Sequence, residues 1–379
     1  MPRRGENIYK RKDGRWEGRI LRDHTADRKP CYTYVYGHSY REVKAKMEVR
    51  RTLTANHLNG STCLAEKTMC SEIAQQWLAN KRSKVKESTF VHYQNLIDKH
   101  ILPALGKISI QGITDEVLAH FTDTLLRCGR IDRKGGLSPK TASDILIILK
   151  SITRYAGKRG YDIRLNLDEI VVRKQHREMR VLSLQEQNRL AELFNKPTDN
   201  RCVGVMLSLY TGLRLGEVCA LRWENVDLDN GIIRVRATMQ RIQNQSGAGG
   251  KTKVIITEPK SDCSIRDIPL PGFMLPVLNE IRASSNSFVL TGCTDRYVEP
   301  RSMENYFTRC VEQCGIAPAN YHALRHSFAT RCVEAGFDIK SLSEILGHSN
   351  VSITLDRYVH STFEQKRKNM DKLTMKVCA

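Results

Sequence analysis

Residues 211–217 read Thr-Gly-Leu-Arg-Leu-Gly-Glu, an arginine flanked by glycines and followed three residues on by a carboxylate. Residues 322–326 read His-Ala-Leu-Arg-His, residues 346–348 read Leu-Gly-His, and Tyr358 stands ten residues beyond His348. Two arginines (Arg214, Arg325), two histidines (His322, His348) and a phenol in this order suit an attack on a phosphodiester. A guanidinium keeps its proton at neutral pH and can only bind an anion. Imidazole titrates near neutrality and can carry protons. Taken singly, each residue has an ordinary explanation as a surface or structural group. Their order along one chain carries the reading.

Around these motifs the chain is basic throughout. It has 379 residues, 61 Lys+Arg against 41 Asp+Glu, and a net charge of +20, which points to a polyanionic partner. The excess is spread over +8 in residues 1–60, +5 in 61–170 and +7 in the remainder, so every part is expected to touch that partner. The length predicts two or three domains. With no apolar run near the ~18 residues that span a bilayer, a membrane role is not expected. Met1-Pro2-Arg3-Arg4-Gly5-Glu6 lacks a signal-peptide pattern, and the expectation is an intracellular protein. The twelve cysteines contain no Cys-x-x-Cys pair. The Cys310/Cys314 spacing has no second ligand pair, so buried free thiols are expected rather than zinc. There is neither a P-loop nor a carboxylate cluster for two-metal chemistry, and no cofactor is expected.

Upstream of the motifs, residues 1–65 read as a small β-rich module. Strands over 8–12, 15–20 and 32–36 precede a helix capped by Ser39, with Asp13-Gly14 as a two-residue hairpin turn. Its basic strand residues, Arg11, Lys12, Arg15 and Arg19, could lay a sheet face on DNA. Residues 66–165 read as four helices with apolar stripes Ile73/Trp77/Leu78, Phe90/Tyr93/Ile97/Ile101, Val117/Leu118/Phe121/Leu125 and Ile145/Leu149/Ile152/Tyr155. The second is expected to end at Pro103, the third to be capped by Thr114, and the fourth to open at Ser138-Pro139. Arg130, Arg133 and Lys134 lie in the intervening loop, which suits phosphate contacts or simple solvation. A linker over 166–174 leads to a mixed α+β domain over 175–379. It opens with the capping box Ser183-Leu-Gln-Glu186. Strands are expected over 226–228, 232–235, 254–257 and 265–270 in one small sheet, with a mobile loop over 243–250 and helices from about Met303 onward. The fold class is multidomain and mainly α with small β-sheets.

The motif set resembles the tyrosine recombinase (integrase) family, in the family's order and approximate spacing over about residues 175–365. The bundle is similar to that family's core-binding domain. The N-terminal module resembles the arm-type DNA-binding domain of phage and conjugative-transposon integrases. The resemblance implies Tyr358 as nucleophile forming a 3′-phosphotyrosyl bond, Arg214 and Arg325 as phosphate clamp, and His322 and His348 as hydrogen-bonding or proton-moving groups. It also implies a leaving-group lysine, best matched by Lys260, with Lys251 and Lys253 as nearby alternatives. Glu217 is expected to orient Arg214. The partners implied are double-stranded DNA at core-type and arm-type sites and three further copies of the chain in a homotetramer, with an excisionase and a DNA-bending host protein as candidates. The residues after Tyr358 are expected to dock on a neighbouring copy or to fray. The place implied is the bacterial cytoplasm, at the nucleoid when bound. A type IB topoisomerase-like relaxing enzyme and a non-catalytic DNA-binding regulator on the same scaffold are the alternatives.

Overall fold

The computed structural model describes residues 7–11, 14–24, 30–48, 68–132, 134–163, 165, 172, 179–194, 199–245, 250–259, 261–358, 367 and 370. Lys12, Arg133, Lys260, the linker over 166–174 apart from Val172, and almost all of 359–379 fall outside them. The chain divides into two compact units. One comprises Met1–Ala79, Ile97–Leu137 and Asp144–Ile170; the other comprises Asn80–Leu96, Ser138–Ser143 and Val171–Ala379.

In the first unit β1 (Ile8–Lys10), β2 (Trp16–His24) and β3 (Pro30–Gly37) form an antiparallel sheet in the order β1-β2-β3. Lys10 pairs with Trp16 and Arg11 N donates to Arg15 O. Asp13 of the expected Asp13-Gly14 turn lies outside the described residues, and Gly14 has the left-handed φ of 85° that such a turn uses. Helix α1 (residues 40–48) covers one face, burying Ile8, Val35, Val43 and Met47 together. Ser39 Oγ accepts from Glu42 N, as its capping role predicts. A Cβ on Gly18 would lie 2.8 Å from Val43 Cγ1, so a bare backbone here is what lets α1 lie on the sheet. The other face exposes Tyr9, Tyr32, Tyr34 and Tyr36.

Most residues of the helical stripes predicted from sequence are buried, including Ile73 and Trp77 of α2 (Cys70–Arg82) and Leu118, Phe121 and Leu125 of α5 (Asp115–Cys128), while Leu78, Tyr93, Val117 and Tyr155 are half-buried. Ile145, Leu149 and Ile152 of α6 (Pro139–Lys158) are buried as well. Thr114 and Ser138 cap α5 and α6 through Val117 N and Thr141 N. The expected stop at Pro103 does not occur. Helix α3 (Glu87–Leu96) passes into a π turn over Ile97–Ile101, and the chain continues as α4 (Leu102–Leu105) with Pro103 in its first turn. There a missing N–H leaves no helical bond unmade, so proline is accommodated.

The second unit holds α7 (Leu184–Phe194), α8 (Arg201–Thr211), α9 (Leu215–Ala220), α10 (Met274–Glu280), α11 (Pro300–Gln313), α12 (His322–Glu334), α13 (Ile339–Leu346) and α14 (Val351–Tyr358). The capping box is formed: Glu186 N donates to Ser183 Oγ and Ser183 N to Glu186 Oε2. The strands make two sheets where one was expected. β4 (Val226–Asp227), β5 (Ile232–Val235) and β8 (Arg266–Pro269) form one; β6 (Thr238–Gln243) and β7 (Thr252–Thr257) form a separate hairpin. β6 escaped the sequence reading because Gln240, Arg241 and Gln243 break its apolar alternation. Of the 243–250 stretch expected to be a mobile loop, residues 246–249 lie outside the described residues. The core runs through Val203, Leu207, Val218, Phe307, Tyr321 and Leu324. Tyr321 Oη, fully buried, donates to Gly204 O at 3.0 Å, tying α12 to α8.

Candidate active site

Two helices of the second unit end in left-handed glycines: α8 at Gly212 (φ 68°) and α13 at Gly347 (φ 65°). Such ends leave carbonyl oxygens without helical partners, at the negative pole of the helix dipole. Here arginines take them. Arg325, from the first turn of α12 and only 2% exposed, donates Nη1 to Gly212 O at 2.7 Å and Nη2 to Leu346 O at 2.6 Å. Arg214, the residue preceding α9, donates Nη2 to Gly347 O at 3.0 Å. Arg266 of β8 donates Nε to Ile345 O at 2.6 Å. Three successive carbonyls at the end of α13 thus each hold a different arginine.

Glu217 answers two of these cations. Its carboxylate accepts Arg214 Nη1 at 2.8 Å and both terminal nitrogens of Arg266 at 3.0 and 2.8 Å, and it also caps the Arg214 N–H at 2.9 Å. Burial alone would raise the Glu217 carboxyl. The Arg266 hydrogen bonds and charge, then Arg214, outweigh it and lower the carboxyl to about 2. The expectation that Glu217 orients Arg214 matches this geometry. Gly216 completes the local packing, because a Cβ there would lie 2.6 Å from the Met239 carbonyl oxygen of β6.

His348 sits between Arg325 and α14. Arg325 Nη2 lies 3.0 Å from its Nε2, and Thr354 Oγ1 lies 2.8 Å from its Nδ1. Arginine can only donate, so Nε2 accepts and Nδ1–H donates to Thr354. Burial, then Arg325 and Arg214, hold His348 at about 3, so it is neutral at physiological pH. His322 opens α12 and reaches solvent, yet the protein packed around it and the charges of Arg325 and Arg214 lower it to about 4. With Arg214 it lines a cavity of about 510 Å³ shared with Gly216, Thr238, Asn320 and Tyr321. Tyr358, at the last turn of α14, is 6% exposed, and its ring lies parallel to that of His348 at 6.5 Å. Burial raises the phenol, and Arg325, Arg357 and Arg214 oppose that rise.

Five predicted residues (Arg214, His322, Arg325, His348, Tyr358) are therefore brought together, with Glu217 beneath them. Lys260 lies outside the described residues. Of its alternatives, Lys253 pairs with Glu87 at 2.7 Å and Lys251 stands exposed beside the β6–β7 hairpin tip. The stretch entering Lys260 is fixed by Lys86 Nζ, which donates to the carbonyls of Glu258 and Pro259 at 3.0 and 2.9 Å. Sequence reading missed Arg266, Thr354, the exposed Arg357 and His326, whose Nδ1 is 2.7 Å from Tyr358 Oη. Only His326 had a visible signal, its i,i+4 spacing from His322 on one helix. Of the predicted DNA-contacting residues, Arg11 and Arg19 lie on the tyrosine face of the N-terminal sheet and both pair with Glu17. Arg19 also stacks over Tyr9 and Tyr34, and Arg11 over Tyr36. Arg15 flanks the β1–β2 turn, while Lys12 and Arg133 lie outside the described residues. Arg130 is paired with Asp132, whose carboxylate also accepts the Lys134 N–H.

Residues 180–365 match the phage integrase family, and residues 70–126 match the phage integrase N-terminal SAM-like domain. A tyrosine recombinase XerC-like protein of Caldanaerobacter subterraneus subsp. tengcongensis is 27% identical over 368 residues, 89% of this chain and 90% of that protein. Tyrosine recombinase XerA of Thermococcus kodakarensis is 30% identical over 247 residues, 63% of this chain and 77% of that protein. Among solved structures, the Tn1549 transposon integrase in complex with transposon right end DNA has the same fold. Its TM-score is 0.66 at 24% identity, over 81% of this chain and 100% of that one. This chain belongs to the phage integrase family and is a tyrosine recombinase, an enzyme of site-specific DNA recombination.

Proposed function

We propose that the protein integrates or excises a mobile element, a prophage or conjugative transposon, with Tyr358 as its nucleophile. The observation that carries this reading is the burial of the Tyr358 phenol in one cluster with Arg325, Arg214 and His348. Tyr358 Oη attacks the scissile phosphorus, a 3′-phosphotyrosyl bond forms, and the 5′-oxygen leaves with a proton from Lys260. Arg214 and Arg325 bind the non-bridging oxygens and stabilise the charge that builds up on them. His322, neutral, hydrogen-bonds the same phosphate, while neutral His348 accepts from Arg325 Nη2 and holds that guanidinium in place. The protein–DNA ester conserves the energy of the broken bond, so religation needs no nucleotide.

In this reading residues 1–65 bind arm-type sites through Arg11, Lys12, Arg15 and Arg19. Residues 66–165 bind core-type sites, aided by Arg130, Arg133 and Lys134. Residues 166–174 link them to the catalytic domain over 175–379. Exchange of four strands requires four protomers on two sites, and the residues beyond Tyr358 dock on a neighbouring copy. The work is done in the bacterial cytoplasm on nucleoid DNA, with an excisionase and a bending protein setting direction. A duplex nicked beside the cut traps the covalent intermediate. Wild type should give a protein–DNA adduct and Tyr358→Phe none, with binding retained; an adduct from the Phe variant refutes the assignment.

A further inference from the structure

The hydrogen bond between the His326 ring and the Tyr358 phenol is not used by any role assigned above. His326 lies on α12, one residue after Arg325, and is 7% exposed. Its Nδ1 sits 2.7 Å from Tyr358 Oη, while its ring meets that of His322 edge to face at 4.4 Å. Among the described residues it is the group hydrogen-bonded to Oη; in the tautomer with the ring proton on Nε2, the phenol donates along this bond and Nδ1 accepts. We infer that His326 is a further catalytic residue: it holds Tyr358 Oη in place and takes the phenolic proton as the oxygen attacks phosphorus. The inference rests on the reading of Tyr358 as nucleophile.

The chemistry requires such an acceptor. Burial keeps the phenol above its ordinary value, so the attacking oxygen starts protonated. As the Oη–P bond forms, the phenolic oxygen loses basicity and its proton passes to Nδ1. The P–O5′ bond breaks and the leaving oxygen takes its own proton from the leaving-group lysine. In religation the 5′-hydroxyl attacks, the Oη–P bond breaks, and Nδ1–H returns the proton to Oη. No other reactant is consumed. Burial, then His322, Arg357 and Arg325, keep His326 at about 4 and hence unprotonated and able to accept. The charged and titratable groups around the pair come from every element packed there: His322 and Arg325 from α12, Arg357 from α14, Arg214 before α9, and His348 before α14. A phosphate placed among them adds negative charge and raises the basicity of His326 when the proton must move. Among the described residues His322, one turn earlier, makes no hydrogen bond to the phenol, which separates the two histidines by role.

The test measures single-turnover cleavage of the nicked duplex by the full chain, wild type, His326→Asn and His326→Ala. Asparagine can present Oδ1 near the Nδ1 position, so it accepts the hydrogen bond without taking the proton. A positioned general base contributes about 10²–10⁴-fold. His326→Asn should therefore bind DNA and melt like wild type while cleaving at least about 10²-fold more slowly. The same defect should persist on a substrate whose leaving 5′-oxygen is replaced by sulfur, which needs no leaving-group proton. Added imidazole should restore part of the rate of His326→Ala. Cleavage by His326→Asn within about threefold of wild type, or a defect relieved by the sulfur leaving group, overturns the assignment. Failure of wild type to form an adduct, or an adduct from Tyr358→Phe, would instead refute the nucleophile reading.

Discussion

Glu217→Gln is the sharpest test of how the site is held. The substitution keeps shape and an amide, yet leaves the buried Arg266 and the half-buried Arg214 without their anion. The gap between the ordinary carboxyl value of 4.5 and about 2 corresponds to about 3 kcal/mol of native-state stability at neutral pH. This agrees with the ~3–5 kcal/mol loss expected when one partner of a buried ion pair is removed. The sign follows from the lowered carboxyl. The contribution is complete above 4.5, where Glu217 is ionised folded and unfolded alike, and it disappears as pH falls through about 2. Hydrogen-exchange mass spectrometry of α9 and β8 peptides, across a urea series, reads the local stability. Wild type should exceed the variant by about 3 kcal/mol at pH 7 and by about 1 kcal/mol at pH 3. A difference below ~1 kcal/mol at pH 7, or one that stays constant down to pH 3, refutes the account of Glu217 as the ionised keystone of the two arginines.

Other perturbations separate the remaining parts. Gly216→Ala forces a methyl against the Met239 carbonyl, so melting should show a loss of about 1–3 kcal/mol together with slower cleavage. Thr354→Val removes the acceptor of His348 Nδ1–H; adduct formation should slow about tenfold with DNA affinity unchanged. Glu17→Gln removes the Glu17 ion pairs of Arg11 and Arg19 on the tyrosine face. Full-chain binding to DNA should tighten, and its dependence on log salt should steepen by about one to two. A shallower slope there would show that Glu17 does not restrain these cations.

The parts legible in sequence were those written in side chains with local rules. Ser39, Thr114, Ser138 and Ser183 each announced a helix start, and each caps one. The ordered motifs named five residues that the fold gathers. What stayed hidden depends on main-chain geometry or on pairing across distance. The π turn at Ile97–Ile101 resets the helical bonding before Pro103, and no side-chain pattern encodes that shift. Arg266 reads as an ordinary strand residue until β8 brings it beneath Glu217, 49 positions away. The carbonyls of Gly212, Ile345, Leu346 and Gly347 are half of the arginine cage and have no sequence signature beyond the two glycines that leave them free.

That cage explains why so many cations can share one small volume. Arg214, Arg266 and Arg325 meet at the end of α13, where the helix supplies about half a negative charge and three open acceptors. Glu217 supplies one full charge, so the cluster stays net positive before any substrate arrives. The histidines register both burial and the excess: burial first, with arginine charge among the further causes, holds His322, His326 and His348 well below their ordinary value of 6.5. In the proposed reaction a phosphodiester would add the missing anion at the exposed side, where Arg214 and His322 line the cavity. Binding it relieves cation repulsion in the free protein and raises the basicity of the imidazoles together. In the proposed reaction their proton affinity would then be greatest when the phosphate is in place, which would couple proton transfer to DNA binding.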